Sequence, residues 1–159
     1  MGFDTSELRE LSETLKRQQS AWESFCQDCA KELAARLLAK VIKRTPVGQY
    51  PKESGQKGGT LRRGWTTQAS GSGAEGLKTR GTKQYVDTLK VNHFGDTYVI
   101  ELTNPVQYAN YVEFGHRKRG GKGWVEGKFF LTISEKELES DAPRILENKI
   151  RKKLGEYFD

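Results

Sequence analysis

A single apolar stripe at helical spacing limits what this chain can fold into. The stripe runs from Trp22 to Val41 without a glycine or a proline, and Pro46 prevents the helix from continuing. Such a helix, of about 24 residues, is ~36 Å long at 1.5 Å per residue, and other elements must cover its apolar side. The pattern therefore predicts a small domain built around one long helix. The stripe consists of Trp22, Cys26, Cys29, Ala30, Leu33, Leu37 and Val41.

Two helix-start patterns precede or open this stripe, and they predict two N-terminal helices. Asp4 is a suitable N-cap for the first helix. Ser20 is a second candidate N-cap, with Glu23 at the position that completes a capping box. We therefore expect a break near Ser20, between the stripe helix and a first helix that carries Leu8, Leu11 and Leu15.

Segments rich in glycine and proline divide the middle of the chain. Residues 46–60 and 70–81 are predicted to be loops, and "LRRGWTTQA" between them is predicted to be a strand that carries Leu61 and Trp65. The β-rich segments "QYVDTLKV" and "TYVIELT" flank "NHFGD", which predicts a β-hairpin. Alternation along its second strand places three apolar side chains on one face: Tyr98, Ile100 and Leu102.

The last third of the chain is predicted to contain two helices. Asn104 begins a short helix with Pro105 in its first position, and Gly115 ends that helix in the left-handed backbone conformation. After the basic loop "HRKRGGKG", a C-terminal helix is interrupted or restarted at Pro143.

The predicted fold class is therefore α+β. Long N-terminal helices pack on a small antiparallel β-sheet, accompanied by a short helix, a C-terminal helix and extended glycine-rich loops. We expect a single domain over residues 1–159. It is predicted to be helical over 1–45, a basic module of sheet and loops over 46–128, and helical again over 129–159.

The positive charge of the chain is concentrated in its middle. The net charge is +6, and residues 43–128 alone hold 15 basic and 7 acidic residues. Such a concentration favours contact with phosphates or with an acidic protein surface, and a sequence-independent DNA-binding protein is one interpretation. No helix-turn-helix, zinc-finger or RNP-like pattern accompanies the charge. The basic residues singled out here are Arg62, Arg63, Lys78, Arg80, Lys83, Arg117, Lys118, Arg119 and Lys122.

The sequence offers little to catalysis, cofactors or metal ions. Glu113 and His116 are three residues apart, and in a hydrolase they can act as a base and its partner. Cys26 and Cys29 form a C-x-x-C pair, but they lie in the middle of a helical stripe rather than at a helix start. We therefore expect a protein that is not an enzyme and has no catalytic, cofactor or metal site. No apolar run reaches the ~18 residues that a membrane span needs, so we expect no membrane contact.

Several short motifs follow one another in a recognisable order along the chain. "TP" follows the long helix, "GGTLRRGW" follows a loop, and a hairpin then leads to "NPVQYANYVEFGHR". "GWVEGKFFL" and a terminal helix complete the order, which covers nearly the whole chain. Its most specific part is "YANYVEFGHR". This order resembles the tail-component family of tailed bacteriophages and prophages, whose members act as neck, head–tail joining or tail-completion proteins.

The resemblance implies a structural protein that forms a ring, expected to be a hexamer, at the head-proximal end of the tail. The implied partners are other copies of the chain and neighbouring tail-terminator, tail-tube or head-completion proteins, with non-specific contact to passing DNA. The implied location is the bacterial host cytoplasm during assembly, and then the virion or tail-like particle. A tail terminator of a contractile or headless phage-tail-like particle is a further alternative.

Two sets of residues are predicted to carry these contacts. Tyrosine and arginine are enriched where proteins meet, which favours the segment around Tyr111 as an interface. The nine basic residues given above are predicted to form an assembly loop or to line the channel. The predicted interface consists of Tyr108, Tyr111, Glu113, Phe114, Gly115, His116 and Trp124.

Overall fold

One helix of 39 residues dominates the computed structural model, which describes residues 5–66 and 81–158. This helix, α1 (Ser6–Arg44), contains neither glycine nor proline, and Pro46 lies just beyond its end. The predicted break at Ser20 is therefore wrong. A capping pattern starts a helix only where the preceding backbone is not already helical, and every residue before Ser20 in α1 is compatible with a helix. The predicted N-cap Asp4 lies outside the described residues.

A second long helix, α5 (Phe130–Phe158), packs antiparallel against α1. Ion pairs fix this direction: near the end of α1, Lys40 contacts Glu137, whereas earlier in α1 Glu32 contacts Lys149. The predicted interruption at Pro143 is wrong, because this proline lies inside one continuous helix. Pro143 is exposed, so the carbonyl group that loses its helical hydrogen bond can be solvated.

Two short helices stand where strands were predicted. α2 (Thr60–Gly64) replaces the predicted strand in "LRRGWTTQA", and α3 (Thr82–Asp87) occupies the first half of "QYVDTLKV". Leu61 and Trp65 are four residues apart, so one helical turn buries both on the same side. Tyr85 and Val86 are adjacent and both buried, whereas a strand would have turned them to opposite faces. A single 3-10 turn, Lys52–Ser54, precedes α2.

The β-structure of the described residues consists of two separate hairpins. β1 (Asn92–Phe94) pairs with β2 (Thr97–Val99), so a hairpin forms at the predicted place, although its first strand lies within the predicted turn "NHFGD". Tyr98, Ile100 and Leu102 face inward, as the alternation predicts. After α4 (Ala109–Phe114), β3 (Gly115–Arg117) pairs with β4 (Trp124–Glu126). The α+β class is confirmed, with two hairpins in place of one sheet.

One hydrophobic cluster joins the helices. Leu38 and Val41 of α1 are fully buried at its centre, and Phe130 at the start of α5 meets the ring of Trp65 edge-on at 6.1 Å. The other buried members come from α1, from the first turn of α2, from α3 and from the segment before α4: Ala34, Leu61, Tyr85, Val86 and Val106. The cluster lies at the C-terminal half of α1, so the segment that follows it, from Asn104 to Phe130, is anchored on a packed core.

Candidate interaction surface

Hydrogen bonds join the "TP" segment at the end of α1 to the "LRRGW" segment of α2. The hydroxyl group of Thr45 donates to the carbonyl oxygen of Val41 at 2.7 Å and accepts the indole N–H of Trp65 at 2.9 Å. The guanidinium group of Arg62 donates twice to the carbonyl oxygen of Thr45, at 2.8 and 3.2 Å. Thr45 thus satisfies the polar groups at the end of α1 and fixes α2 against it. Arg62 is therefore used inside the fold.

The segment "NPV" joins the same structure from the other side. The side-chain amide of Asn104 donates to the carbonyl oxygen of Leu61 at 2.8 Å, and its oxygen accepts the N–H of Val106 at 3.1 Å. A Cβ atom at Gly64 would lie 2.3 Å from the Asn104 oxygen, so only glycine fits at this approach. Asn104 begins a turn before α4 rather than capping the helix directly, since α4 starts at Ala109. Together, Thr45, Arg62, Gly64, Trp65 and Asn104 form what we call the joint.

Gly115 connects α4 to β3 and ends the helix, as the sequence predicts. Its φ is +86°, but its ψ of 174° lies outside the left-handed helical region that was predicted. This extended region at positive φ is almost exclusive to glycine. A Cβ atom at Gly115 would lie 2.4 Å from the carbonyl oxygen of Val125 in β4. The close approach of the two strands therefore requires glycine on both counts.

Glu113 is turned into the protein, where it caps α5. Its carboxylate accepts the N–H of Leu131 and the N–H of Thr132, each at 2.9 Å, and the hydroxyl group of Thr132 at 2.6 Å. The first amides of a helix have no partner within that helix and favour negative charge, so this carboxylate satisfies the start of α5. Glu113 is only 4% exposed. It therefore supports the surface from beneath instead of forming part of it.

The β3–β4 hairpin presents a short basic turn, which we call the tip (residues 117–123). The N–H of Lys118 donates to the carbonyl oxygen of Gly123 at 3.1 Å, and the N–H of Gly121 donates to that of Lys118 at 3.0 Å. Gly120, Gly121 and Gly123 all have positive φ. The predicted basic loop is thus an ordered turn at the end of a hairpin. Its four cationic side chains, Arg117, Lys118, Arg119 and Lys122, are all exposed.

Aromatic rings cover the outer side of α4 and of the hairpin, where the side chains of Tyr111, Phe114 and Trp124 are 60%, 58% and 51% exposed. Tyr111 meets the ring of His116 edge-on at 5.8 Å, and Phe114 meets Phe129 in the same manner at 6.5 Å. We call Tyr108, Tyr111, Phe114 and Trp124 the aromatic patch. It adjoins the tip, since Trp124 pairs with Arg117 across the hairpin.

The structure brings most of the predicted interface residues together at one surface. Tyr108, Tyr111, Phe114 and Trp124 are exposed, while Gly115 and His116 are half-buried beside them. The predicted basic set is more dispersed. Lys83 is exposed on α3, Arg63 donates to the carbonyl oxygen of Gly58, and Lys78 and Arg80 lie outside the described residues.

The side chains considered for catalysis or metal binding make contacts within the fold. The carboxylate of Glu113 is occupied by α5, and the imidazole of His116 lies against Tyr111. Cys26 and Cys29 are free and half-buried on α1, and burial raises the pKa of the Cys29 thiol, which keeps it less reactive. Within residues 5–66 and 81–158, no three potential ligands form a metal-binding group. No helix in those residues is long and apolar enough to cross a membrane.

Sequence reasoning missed Phe129 as part of the surface and Thr45 as the centre of the joint. Phe129 has a φ of +48°, and its N–H donates to the carbonyl oxygen of Glu113 at 3.0 Å, which turns its ring outward beside Phe114. Since Phe129 and Phe130 are adjacent, the pattern alone does not show which of them enters the core. Thr45 stands out in the sequence only as part of the "TP" motif, because its partners lie 17 to 20 residues away.

Comparison with protein-family models matches residues 9–115 to the family described as "Bacteriophage HK97-gp10, putative tail-component". The match covers more than half of the 159 residues and includes nearly all of α1, the joint and α4. It ends at Gly115, before the tip and α5. No curated protein and no solved structure shows significant similarity to the chain.

Proposed function

The chain belongs to the HK97-gp10-like family of bacteriophage tail components, and we propose that it is a tail-completion protein. In this proposal it assembles as a ring, with six copies, at the head-proximal end of the tail. The family gives a structural role in the tail of the phage particle. The position in the neck, the number of copies and the head–tail joining role are the proposal.

The observation that carries the proposal is the aromatic patch on an anchored support. Exposed Tyr and Trp side chains are typical of the centres of protein interfaces, because large rings bury much area at little cost in conformational entropy. Tyr111, Phe114 and Trp124 stand on a segment fixed by Glu113 and Gly115. A surface held in this way is ready to meet a partner without rearrangement.

A ring subunit needs two different surfaces, because each copy meets its neighbour head to tail. We assign the aromatic patch to one side of this contact, or to the contact with a tail-terminator, tail-tube or head-completion protein. The tip lies beside the patch and is assigned to assembly or to the lining of the channel. Association of this kind takes place in the host cytoplasm, before the finished particle forms.

The test is the mass of the purified protein by light scattering over a range of concentrations, alone and with the tail-tube and terminator proteins of the same phage. We expect a discrete ring under at least one of these conditions. The double variant Tyr111→Ala/Phe114→Ala should remain folded and fail to form the subunit ring. It removes the two aromatic side chains of the patch that are most exposed on α4.

A control comes from the first hairpin, where Phe94 is 68% exposed and belongs to a different element from α4. Phe94→Ala removes one exposed aromatic side chain, as Phe114→Ala does, and should leave the subunit ring intact. The same loss in the control and in the double variant would refute the assignment of the patch. A protein that stays monomeric with and without its neighbours would refute the ring itself.

A sequence-independent DNA-binding protein is the second candidate, and the tip favours it. Within the described residues none of Arg117, Lys118, Arg119 and Lys122 is held by an ion pair, so all four are available to phosphates. This function predicts a monomer that shifts duplex DNA at low salt, with affinity that falls steeply as salt rises. Replacing the four residues with serine should then reduce the salt dependence, since each phosphate contact releases counterions.

A further inference from the structure

The N-terminal half of α1 extends beyond the other residues that the structure describes. α5 runs antiparallel beside α1, with Lys149 opposite Glu32 at 2.6 Å, and it ends nine residues later at Phe158. Because the two helices rise equally per residue, α5 ends alongside α1 near Glu23. Every residue from Thr5 to Trp22 is exposed. We call residues 6–25 the overhang; Glu23 and Phe25, at its inner end beside the last turn of α5, are half-buried.

One side of the overhang is an apolar seam with a seven-residue repeat. Leu8, Leu15 and Trp22 are spaced by seven residues, while Leu11 and Phe25 each follow one of them by three. The leucines at positions 8, 11 and 15 are 66%, 56% and 56% exposed. Such spacing, apolar at the a and d positions only, is the seam of a coiled coil and not the wider face of a helix on a globular core.

The flanks of this seam carry almost no charge. The e and g positions beside it are Ser12, Thr14, Gln19 and Ala21, with Glu7 at the very end. Charged residues are confined to the outer side of the helix: Arg9, Glu10, Glu13, Lys16, Arg17 and Glu23. Like charges facing each other across a coiled coil would repel, so an uncharged flank permits identical helices to meet.

The polar residue within the seam also favours an identical partner. Gln18 occupies the one d position of the seam that is not apolar. A buried amide needs both a donor and an acceptor, and the same amide of a second copy in parallel register supplies both. In an antiparallel pair, Gln18 would instead face an apolar a position. Residues 67–80 of the chain provide one large apolar side chain, Leu77, which is too few to cover the four exposed apolar positions of the seam.

We propose that the overhang pairs in parallel, and in register, with the overhang of a second copy of this chain. The contact buries Leu8, Leu11, Leu15 and Trp22 against the same residues of the partner copy. It goes beyond the proposed function, because this contact is isologous, with the same residues on both sides, whereas neighbours in a ring meet head to tail. The contact is distinct from that of the aromatic patch.

The pairing is expected to be weak in dilute solution. The seam covers about 2.5 heptads, or ~27 Å, which is short for an isolated coiled coil. Cross-linking therefore detects the contact better than mass alone. In a background with Cys26→Ala and Cys29→Ala, one new cysteine is placed in the seam by Leu15→Cys, and a matched one on the outer face by Glu13→Cys.

Under mild copper-phenanthroline oxidation, Leu15→Cys should form a disulfide-linked dimer at least about ten times faster than Glu13→Cys, because pairing raises the effective thiol concentration. A second comparison introduces an aspartate into the same turn at two places. Leu15→Asp should abolish the concentration-dependent dimerisation of the protein through the overhang, while Arg17→Asp should preserve it. Circular dichroism of each variant establishes that the helix content is unchanged.

Equal cross-linking rates for the seam and outer-face cysteines would overturn the pairing, as would equal association of the two aspartate variants. Failure of the ring proposal gives a different result. In that case Tyr111→Ala/Phe114→Ala has no effect on the mass, yet Leu15→Cys still cross-links faster than Glu13→Cys. If the pairing alone is wrong, the ring forms and the two cysteines react alike.

Discussion

Gly115 is the residue on which the connection between α4 and the β3–β4 hairpin depends. Its backbone conformation is unfavourable for any other residue, and a side chain would collide with Val125. We expect Gly115→Ala to lower the free energy of unfolding by about 2 kcal/mol or more, from backbone strain and overpacking together. Chemical denaturation monitored by tryptophan fluorescence measures this change.

Gly120 in the tip is the matched control, because it also has positive φ, yet a Cβ atom added there would have no atom within 4 Å. Gly120→Ala should cost only about 1 kcal/mol, from its backbone conformation alone. Equal losses in the two variants would show that the approach of Gly115 to β4 does not contribute to stability.

Glu113 provides a second prediction at the scale of a single residue. Glu113→Gln replaces one carboxylate oxygen with an amide nitrogen, which cannot accept the hydrogen bond that this oxygen receives from α5. The expected loss in the free energy of unfolding is about 1–3 kcal/mol, since buried N–H groups lose their acceptor. Thermal and chemical unfolding measure it, with the exposed Glu126→Gln in β4 as the control.

This variant also separates a structural from a catalytic Glu113. A hydrolase that uses Glu113 and His116 predicts that Glu113→Gln remains as stable as the wild type while some turnover is lost. The cap that we describe predicts the reverse order of effects, with a clear loss of stability. A fully stable Glu113→Gln protein would therefore contradict the cap.

At the scale of elements, the packing of α1 on α5 includes an ion pair that responds to pH. Hydrogen bonds from Lys149 and Arg36 lower the pKa of the Glu32 carboxyl group. A lowered pKa means that the folded state favours the carboxylate, so its stabilisation is present above the unfolded pKa and is lost as pH falls through the folded pKa. Because the pair is partly exposed, its contribution is less than about 1 kcal/mol.

We therefore expect Glu32→Gln to unfold at a slightly lower temperature than the wild type at neutral pH. The difference should shrink as the pH falls through the lowered pKa, because the wild-type carboxyl group is then protonated as well. Thermal unfolding of both proteins across this pH range tests the expectation. A difference that stays constant with pH would assign the effect to packing rather than to charge.

How well each element could be predicted depends on where its determinants lie. The end of α1 at Pro46 and the end of α4 at Gly115 were predictable, because one residue type decides each. α2 and α3 were predicted as strands because five or six residues have too little periodicity to distinguish the two structures. Their burial against α1 decides the matter.

The second hairpin was missed for a related reason. "HRKRGGKG" has the composition of a loop, and only its ends form strands. Those strands pair because Gly115 and Gly127 permit the backbones to approach: a Cβ atom at Gly127 would lie 2.3 Å from the carbonyl oxygen of Glu113. The sequence does not reveal a close approach between residues whose partners are unknown.

At the scale of the whole molecule, three of the motifs that carry the family resemblance lie inside the fold. "TP", "LRRGW" and "NPV" form the joint, and the matched range ends where the exposed tip begins. Sequence similarity therefore reports the scaffold and the tail role more directly than the partners. The aromatic patch could be predicted from "YANYVEFGHR", because α4 is too short to bury all of its aromatic side chains.

The continuity of α1 has a mechanical consequence. The core packs against the C-terminal half of α1. The N-terminal half of α1 is an arm that pivots near Phe25. The arm is about 30 Å long, so a tilt of about 10° at this pivot moves its end by about 5 Å, which is one helical turn. A small tilt of α1 on the core is thus amplified into a displacement of its N-terminal end that is large enough to shift a contact with a neighbouring molecule.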